Sequence, residues 1–251
     1  MKVVVIGGTG LVGKQVVSRL HQAGHEVVAA SPATGVNAVT GEGLERALAG
    51  AEVVVDVANS PSFEDAAALD FFTRAGANLL GAERRAGVRH HVALSVVGTE
   101  RLQSSGYFRA KLAQEALIER SPVPYTLVRA TQFHEFVKSI ADFSTRDHVA
   151  HLTSAAMQPI ASADVARALV DLVTQSPTRT MVEVAGPERA PLAEFVATWL
   201  GHMDDPRTIS VEPGAPYFGI LVDDHSLTPG PQARLMPTRF EEWLAAARPR
   251  S

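Results

Sequence analysis

Residues 3–17 read VVVIGGTGLVGKQVV, and the way this stretch folds decides the architecture of the whole chain. Val3 to Ile6 is a short β-branched run that stops at glycines, the pattern of a strand buried on both faces. From Leu11 the apolar positions change period: Leu11, Val12, Val16 and Leu20 recur near 3.6 residues, and Gly24 closes the helix. Between strand and helix lie Gly7, Gly10 and Gly13, spaced GxxGxxG. Glycine permits positive φ in a tight turn and close approach of another group to the backbone. A helix starting at Leu11 turns free N–H groups and a positive dipole end toward that turn. Such a strand, turn and helix form a cradle for a pyrophosphate, with Gly7, Thr9, Gly10, Leu11, Val12 and Gly13 as its candidate contacts.

Outward from this stretch, strand patterns recur at 26–30, 51–58, 88–95, 123–130 and 180–186. Helical patterns separate them: a short one within 38–50, then 63–86, 107–120, 162–173 and 238–247. Ser62 with Asp65 and Thr238 with Glu241 have the spacing of capping boxes, Ser162 reads as a cap, and Gly87 as a stop. Strands alternating with helices on short connections mean βαβ units and a parallel sheet. An open α/β sheet binds ligands at the carboxyl ends of its strands, here after Ile6, Ala30, Val57, Ser95 and Arg129. From about Asp147 the pattern is less regular, and prolines concentrate from Pro187 onward. The expected organisation is one domain over 1–251, with 1–146 the cofactor-binding core and 147–251 a small lobe covering the substrate.

The chain has 251 residues, a formal net charge of -4, 46% hydrophobic residues and no cysteine. It can bury a full core. A weakly acidic balance argues against a nucleic-acid binder, which carries a basic face. Without cysteine there is no disulfide, thiolate nucleophile or zinc–thiolate site. Nine histidines fall at no metal-ligand spacing: His90 and His91 are neighbours on a strand and face opposite sides, so no metal is expected. The apolar run before the first glycine is too short for a signal peptide or a membrane span, so the expectation is a soluble cytoplasmic protein.

Four blocks carry a family resemblance: GGTGLVG (7–13), GVRHHVALSVVG (87–98), YFRAKLAQEALIERSPVPYTLVRATQFHEF (107–136) and PIASADVARALVDLV (159–173). They resemble the NmrA-like, atypical branch of the short-chain dehydrogenase/reductase superfamily. The resemblance implies a Rossmann-type doubly wound parallel sheet and a nicotinamide cofactor. The branch contains both reductases and non-catalytic redox sensors.

The second strand ends at Ser31, where neither Asp nor Glu is present to accept from an adenosine ribose and repel a 2′-phosphate. Ser31, Thr34 and Lys14 are candidate donors to such a phosphate, although no Arg follows the strand. NADP is favoured and NAD remains open. In similar proteins the turn after the third strand lies against the cofactor, which implicates Ala58, Asn59 and Ser60.

Tyr107 and Lys111 are spaced i, i+4 and so share a helix face. The superfamily's catalytic motif is YxxxK with an upstream serine, and Ser95 stands at the end of the preceding strand. A carbonyl that accepts hydride needs a proton. Tyrosine, with a pKa of about 10, becomes a useful acid–base when a nearby ammonium favours its phenolate. Ser95 can donate a hydrogen bond to the substrate oxygen, and Lys111 can hold the nicotinamide ribose. The alternative is ordinary helix packing for Tyr107 and a surface Lys111–Glu115 pair. By resemblance, Gln132, Phe133 and His134 line the substrate pocket, with Phe143, Met157 and Tyr217 as further apolar lining.

The expected function is therefore NAD(P)H-dependent reduction of a small carbonyl, quinone or other conjugated acceptor, by a monomer or homodimer. The competing expectation is a sensor that binds NAD(P) and a protein partner without turnover.

Overall fold

The structure, a computed structural model, describes residues 1–247. In chain order the first half contains β1 (Lys2–Ile6), α1 (Leu11–Gln22), β2 (Glu26–Ala30), α2 (Leu44–Leu48), β3 (Val53–Asp56), α3 (Asp65–Ala86), β4 (His90–Val96), α4 (Gly106–Arg120) and β5 (Tyr125–Ala130). There follow α5 (Val137–Ser144), β6 (Thr145–Arg146), β7 (Val149–Leu152), β8 (Ala156–Met157), α6 (Ser162–Val173) and β9 (Met181–Ala185). The last elements are β10 (Ala190–Pro191), α7 (Leu192–His202), β11 (Thr208–Val211), β12 (Arg234–Leu235) and α8 (Phe240–Ala247).

A seven-stranded parallel sheet runs in the order β2-β1-β3-β4-β5-β9-β12. The chain therefore reverses its direction of travel between β1 and β3, the switch point at which an open α/β sheet forms its crevice. Register fixes the depth of that crevice. Ile6 pairs with both Ala30 and Asp56, so the turns after β1, β2 and β3 leave the sheet at one level.

The chain divides into two compact units. The first is Met1–Arg129 with Val165–Val182, and the second Ala130–Asp164 with Glu183 onward. The sequence placed its boundary later, at 146/147, because no composition change marks the end of β5. In the first unit the apolar runs of β1 and β3 are buried on both faces, as expected of central strands. Val4, Ile6 and Val54 pack with Leu44, Leu48 and Leu79. A second cluster joins Leu80, Ala93, Ile118 and Leu127. Phe72 of α3 is 1% exposed, and burying such a ring contributes roughly 1.5–3 kcal/mol.

The second unit has its own small sheets: β6 pairs antiparallel with β7, β7 parallel with β11, and β8 antiparallel with β10. Asp147 and His148 turn the β6–β7 hairpin with φ 48° and 64°. α7 buries Leu192, Phe195, Val196, Trp199 and Leu200, and Phe195 meets Phe240 of α8 edge-on at 5.4 Å.

Two helix starts differ from the sequence reading. α3 begins at Asp65 with Glu64 as its cap, because the Ser62 hydroxyl instead accepts the Glu64 N–H (3.2 Å) and shapes the turn before the helix. α8 begins at Phe240. Thr238 N–H donates to Asp164 (3.0 Å), and the carboxylate of Glu242 takes up Arg239 N–H (3.4 Å) one residue later than the expected box. Among the described residues, no helix is long and apolar enough to cross a membrane.

Candidate active site

Gly7 leaves β1 with φ 80°, a conformation that favours glycine. Its N–H and that of Gly8 both donate to Ala30 O (2.9 and 3.2 Å), and Gly10 N–H donates to Gly7 O (2.9 Å), which ties the turn to the end of β2. Space is as decisive as conformation. A Cβ on Gly13 would lie 2.1 Å from Gly7 O, and one on Gly7 would lie 2.9 Å from Ala58 N. The turns after β1 and β3 thus touch backbone to backbone. Thr9, Gly10 and Leu11 are exposed, while Val12 and Gly13 are buried. Gly10 caps α1 without any side-chain hydrogen bond, so the first N–H groups of the helix are left for an anion. This uncapped, side-chain-free cradle fits the pyrophosphate of a dinucleotide.

The neighbouring turns are more self-contained. Ser31 is buried and its N–H donates to the Thr34 hydroxyl (2.9 Å), which in turn donates to Ala29 O (2.9 Å). Thr34 therefore closes the turn after β2. The Ser60 hydroxyl donates to Ser62 O (2.7 Å) and shapes the turn after β3. Asp56, which the sequence reading passed over, is buried at the end of β3. Its carboxylate accepts Ala58 N–H (3.0 Å) and the side-chain amide of Gln114 (3.1 Å). Its signal in the sequence was an acid breaking the run AEVVVDVA.

Ser95, near the end of β4, is 6% exposed, and its hydroxyl has no hydrogen-bond partner among the described residues. Tyr107 is in the first turn of α4. Its ring packs among Phe63, Phe72 and Phe108 at 5.3, 6.0 and 5.8 Å. Its hydroxyl donates to Asn59 Oδ1 (3.1 Å), which brings two expected site residues together. Burial pushes this phenol up to about 12. Lys111 follows one turn later and is 3% exposed. Its ammonium donates to Leu94 O (2.9 Å) and to the Gln114 side chain, and lies 4.5 Å over the Phe72 ring. Burial brings it down to about 8, against the opposing pull of Asp56 and Glu115. Lys111 is thus interior, whereas the surface pairing with Glu115 would have left it solvated. Glu115 itself forms a buried pair with Arg129 (2.9 and 2.6 Å).

Gly106 has a packing role. A Cβ there would lie 1.8 Å from Asp65 Oδ1, and Asp65 pairs with Arg109 (2.5 Å), so the starts of α3 and α4 are pressed together. A glycine at a helix entry costs conformational entropy, and here the close contact requires it.

In the second unit, Gln132 is 7% exposed, and neither atom of its amide has a partner among the described residues. The buried Thr131 hydroxyl is likewise unpartnered among them. Phe133 stacks on Phe136 with centroids 5.5 Å apart. His134 Nε2 is 3.1 Å from Pro159 O, and its ring is packed edge-on by Phe240 and Trp243. Burial brings this imidazole down to about 4, so it is neutral near pH 7. Phe143 and Tyr217 line a groove with Leu152, Leu192 and Phe218, whereas Met157 is fully buried in the core. Among the described residues, no three His, Cys, Asp or Glu side chains gather where they could hold a metal ion.

Residues 7–176 match a protein family described as NAD(P)H-binding, and the chain belongs to that family. Over 144 residues it is 33% identical to a (4-alkanoyl-5-oxo-2,5-dihydrofuran-3-yl)methyl phosphate reductase from Streptomyces griseus subsp. griseus. That match covers 52% of this chain and 48% of the relative, so the chain spans about half of the relative's length. Among solved structures it is similar to the Bordetella bronchiseptica enzyme WbmH in complex with NAD+, with a TM-score of 0.74, 17% identity, and 98% and 96% of the two chains covered. It is also similar to a dTDP-4-dehydrorhamnose reductase from Bacillus anthracis in complex with NADP, with a TM-score of 0.74, 15% identity, and coverage of 97% and 96%. At these identities the structural likeness concerns the fold alone, a Rossmann-type α/β arrangement.

Proposed function

We propose that the protein is an NADP(H)-dependent reductase of the NmrA-like kind, acting on a carbonyl, quinone or other conjugated acceptor. The observation that carries this reading is the occurrence in one unit of the glycine cradle, a Ser95 hydroxyl unpartnered among the described residues, and Tyr107 one helical turn before Lys111, its hydroxyl on Asn59. The partial match to a reductase supports the same class of reaction.

Gly7, Gly10 and Gly13 would hold the pyrophosphate against the start of α1, with Thr9, Leu11, Val12, Ser31, Ala58, Asn59 and Ser60 around the nucleoside. The bound nicotinamide supplies hydride to the acceptor carbon. Ser95 donates a hydrogen bond to the acceptor oxygen, where negative charge grows. Tyr107 then gives its phenolic proton to that oxygen. Burial holds the free phenol at about 12, away from neutral pH and opposite to the lowering expected from the sequence, so donation would draw on the nearby Lys111 charge and a cationic nicotinamide to bring it down. Lys111 acts from the interior: it fixes α4 to β4 through Leu94 O and supplies positive charge one turn from the phenolate that remains. Within the second unit, Gln132 is the candidate hydrogen-bonding group for an acceptor and Phe133 the candidate apolar wall. His134, wedged among aromatic rings, would support that wall.

One observation favours a non-catalytic cofactor sensor. The Tyr107 hydroxyl is already engaged by Asn59, and Lys111 by the core. NADPH and NADH oxidation against quinones, aromatic aldehydes and enones separates the two readings. The enzyme predicts turnover that drops by about a hundredfold or more in Tyr107→Phe. Tight cofactor binding with no turnover on any acceptor would establish the sensor.

A further inference from the structure

We infer that Arg46 is the residue that selects NADP(H), by receiving the adenosine 2′-phosphate beside the turn after β2. This inference rests on the NADP preference proposed above and adds its determinant. The turn Ser31–Val36 carries no charge of its own. It is closed by Thr34 N–H to Ser31 O (2.9 Å), Gly35 N–H to Pro32 O (3.1 Å) and Val36 N–H to Ser31 O (3.0 Å). Selectivity for a phosphate dianion at this corner needs a cation from elsewhere, since an Arg near the ribose is what accommodates the extra phosphate in such folds.

Two glycines bring one there. Gly35 and Gly43 have φ 77° and 74°, and a Cβ on Gly43 would lie 2.2 Å from Gly35 O. The segment entering α2 therefore passes directly against the turn. Arg46, in the first turn of α2, reaches back along it: a Cβ on Gly35 would be 3.5 Å from Arg46 Nη2. Its guanidinium is exposed and has neither an ion pair nor a hydrogen bond among the described residues. The adjacent acid does not neutralise it, because Glu45 faces Arg85 (3.5 Å). A planar guanidinium with unused donors matches phosphate oxygens in a bidentate way. The sequence could not show this, because Arg46 is eleven residues beyond Gly35 and becomes its neighbour only through the glycine contact.

Isothermal titration of the full chain with NADPH and NADH tests the inference in wild type, Arg46→Gln and Lys14→Gln. The expected result is tighter NADPH binding by wild type and a loss of about tenfold or more for NADPH in Arg46→Gln. NADH affinity should stay within about twofold, since only the phosphate contact is removed. Lys14→Gln should keep the preference. A wild type that favours NADPH together with an Arg46→Gln that keeps this preference would overturn the assignment and leave the NADP reading standing. Equal weakening of both cofactors, or loss of the preference in Lys14→Gln alone, would also overturn it. A wild type with no preference for NADPH would defeat the NADP reading and the inference together.

Discussion

The glycine turn after β1 and the helix face that carries Tyr107 and Lys111 are both motifs of fixed spacing, yet they are held by different means. At the turn, backbone meets backbone: Gly13 against Gly7 O, and Gly7 against Ala58 N. On α4, the same face that offers Tyr107 and Lys111 also packs on α3 through Phe72, and on β3 through the chain Lys111–Gln114–Asp56. A spacing that constrains the backbone has one structural outcome. A spacing that places side chains has as many outcomes as there are partners.

Predictions sharpen this contrast, and the largest effect belongs to the turn. Gly13→Val drives side-chain carbons into the Gly7 carbonyl, where no flexible neighbour can yield. Cofactor affinity measured by calorimetry should fall below detection, and stability should drop by about 3 kcal/mol or more in urea. A variant that binds NADPH normally would show that the turn tolerates a side chain, and the contrast would fail.

Lys111 comes next. Lys111→Ala strands Leu94 O and Gln114 and opens a cavity, so a loss of roughly 2–4 kcal/mol is expected on denaturation. Lys111→Met keeps the volume and should recover most of that stability without recovering turnover. If both variants melt with wild type, the interior role is wrong.

Alkaline titration distinguishes the two side chains. The Lys111 amine is held near 8 against an ordinary 10.5, so the unfolded chain binds more protons between those values and stability rises with pH across that window. Tyr107 is held near 12 against 10, so above pH 10 the folded chain keeps the proton longer and stability falls as pH rises. Denaturation midpoints from pH 8 to 11 should show the rise vanish in Lys111→Met and the fall diminish in Tyr107→Phe. The smallest effect is that of Asn59→Ala. Losing one partly exposed hydrogen bond to Tyr107 should cost about 0.5–1 kcal/mol, read as a small shift in melting temperature.

The contrast also explains what the sequence made legible. β1, β2, α1 and the long α3 follow from period and glycine punctuation, and the structure places them within a residue or two of expectation. Asp56 and Gln114 were not readable as a pair, because they are 58 residues apart and meet only when α4 is laid on β3. The need for Gly106 was not readable either, because the sequence does not show Asp65 against it. α7 escaped notice for a local reason: Pro191 precedes it in place of a polar cap, and its apolar residues surround much of the helix and blur the period. In the second unit the expected pocket residues share a segment, but Gln132 is unpartnered among the described residues while His134 is locked by Pro159 and two rings.

The discontinuity of the first unit has a consequence for how the chain is made. Leu127 N–H in β5 donates to Thr180 O, just before β9, so the end of the unit's sheet is completed by residues from its second segment. A ribosome that has released Met1–Arg129 has produced a sheet whose last strand still offers unpaired N–H and C=O groups, the template on which chains join edge to edge. Only after residue 182 has emerged is that edge covered. Released fragments 1–130 and 1–190 should therefore differ sharply in protease resistance, and the shorter should be the one that aggregates.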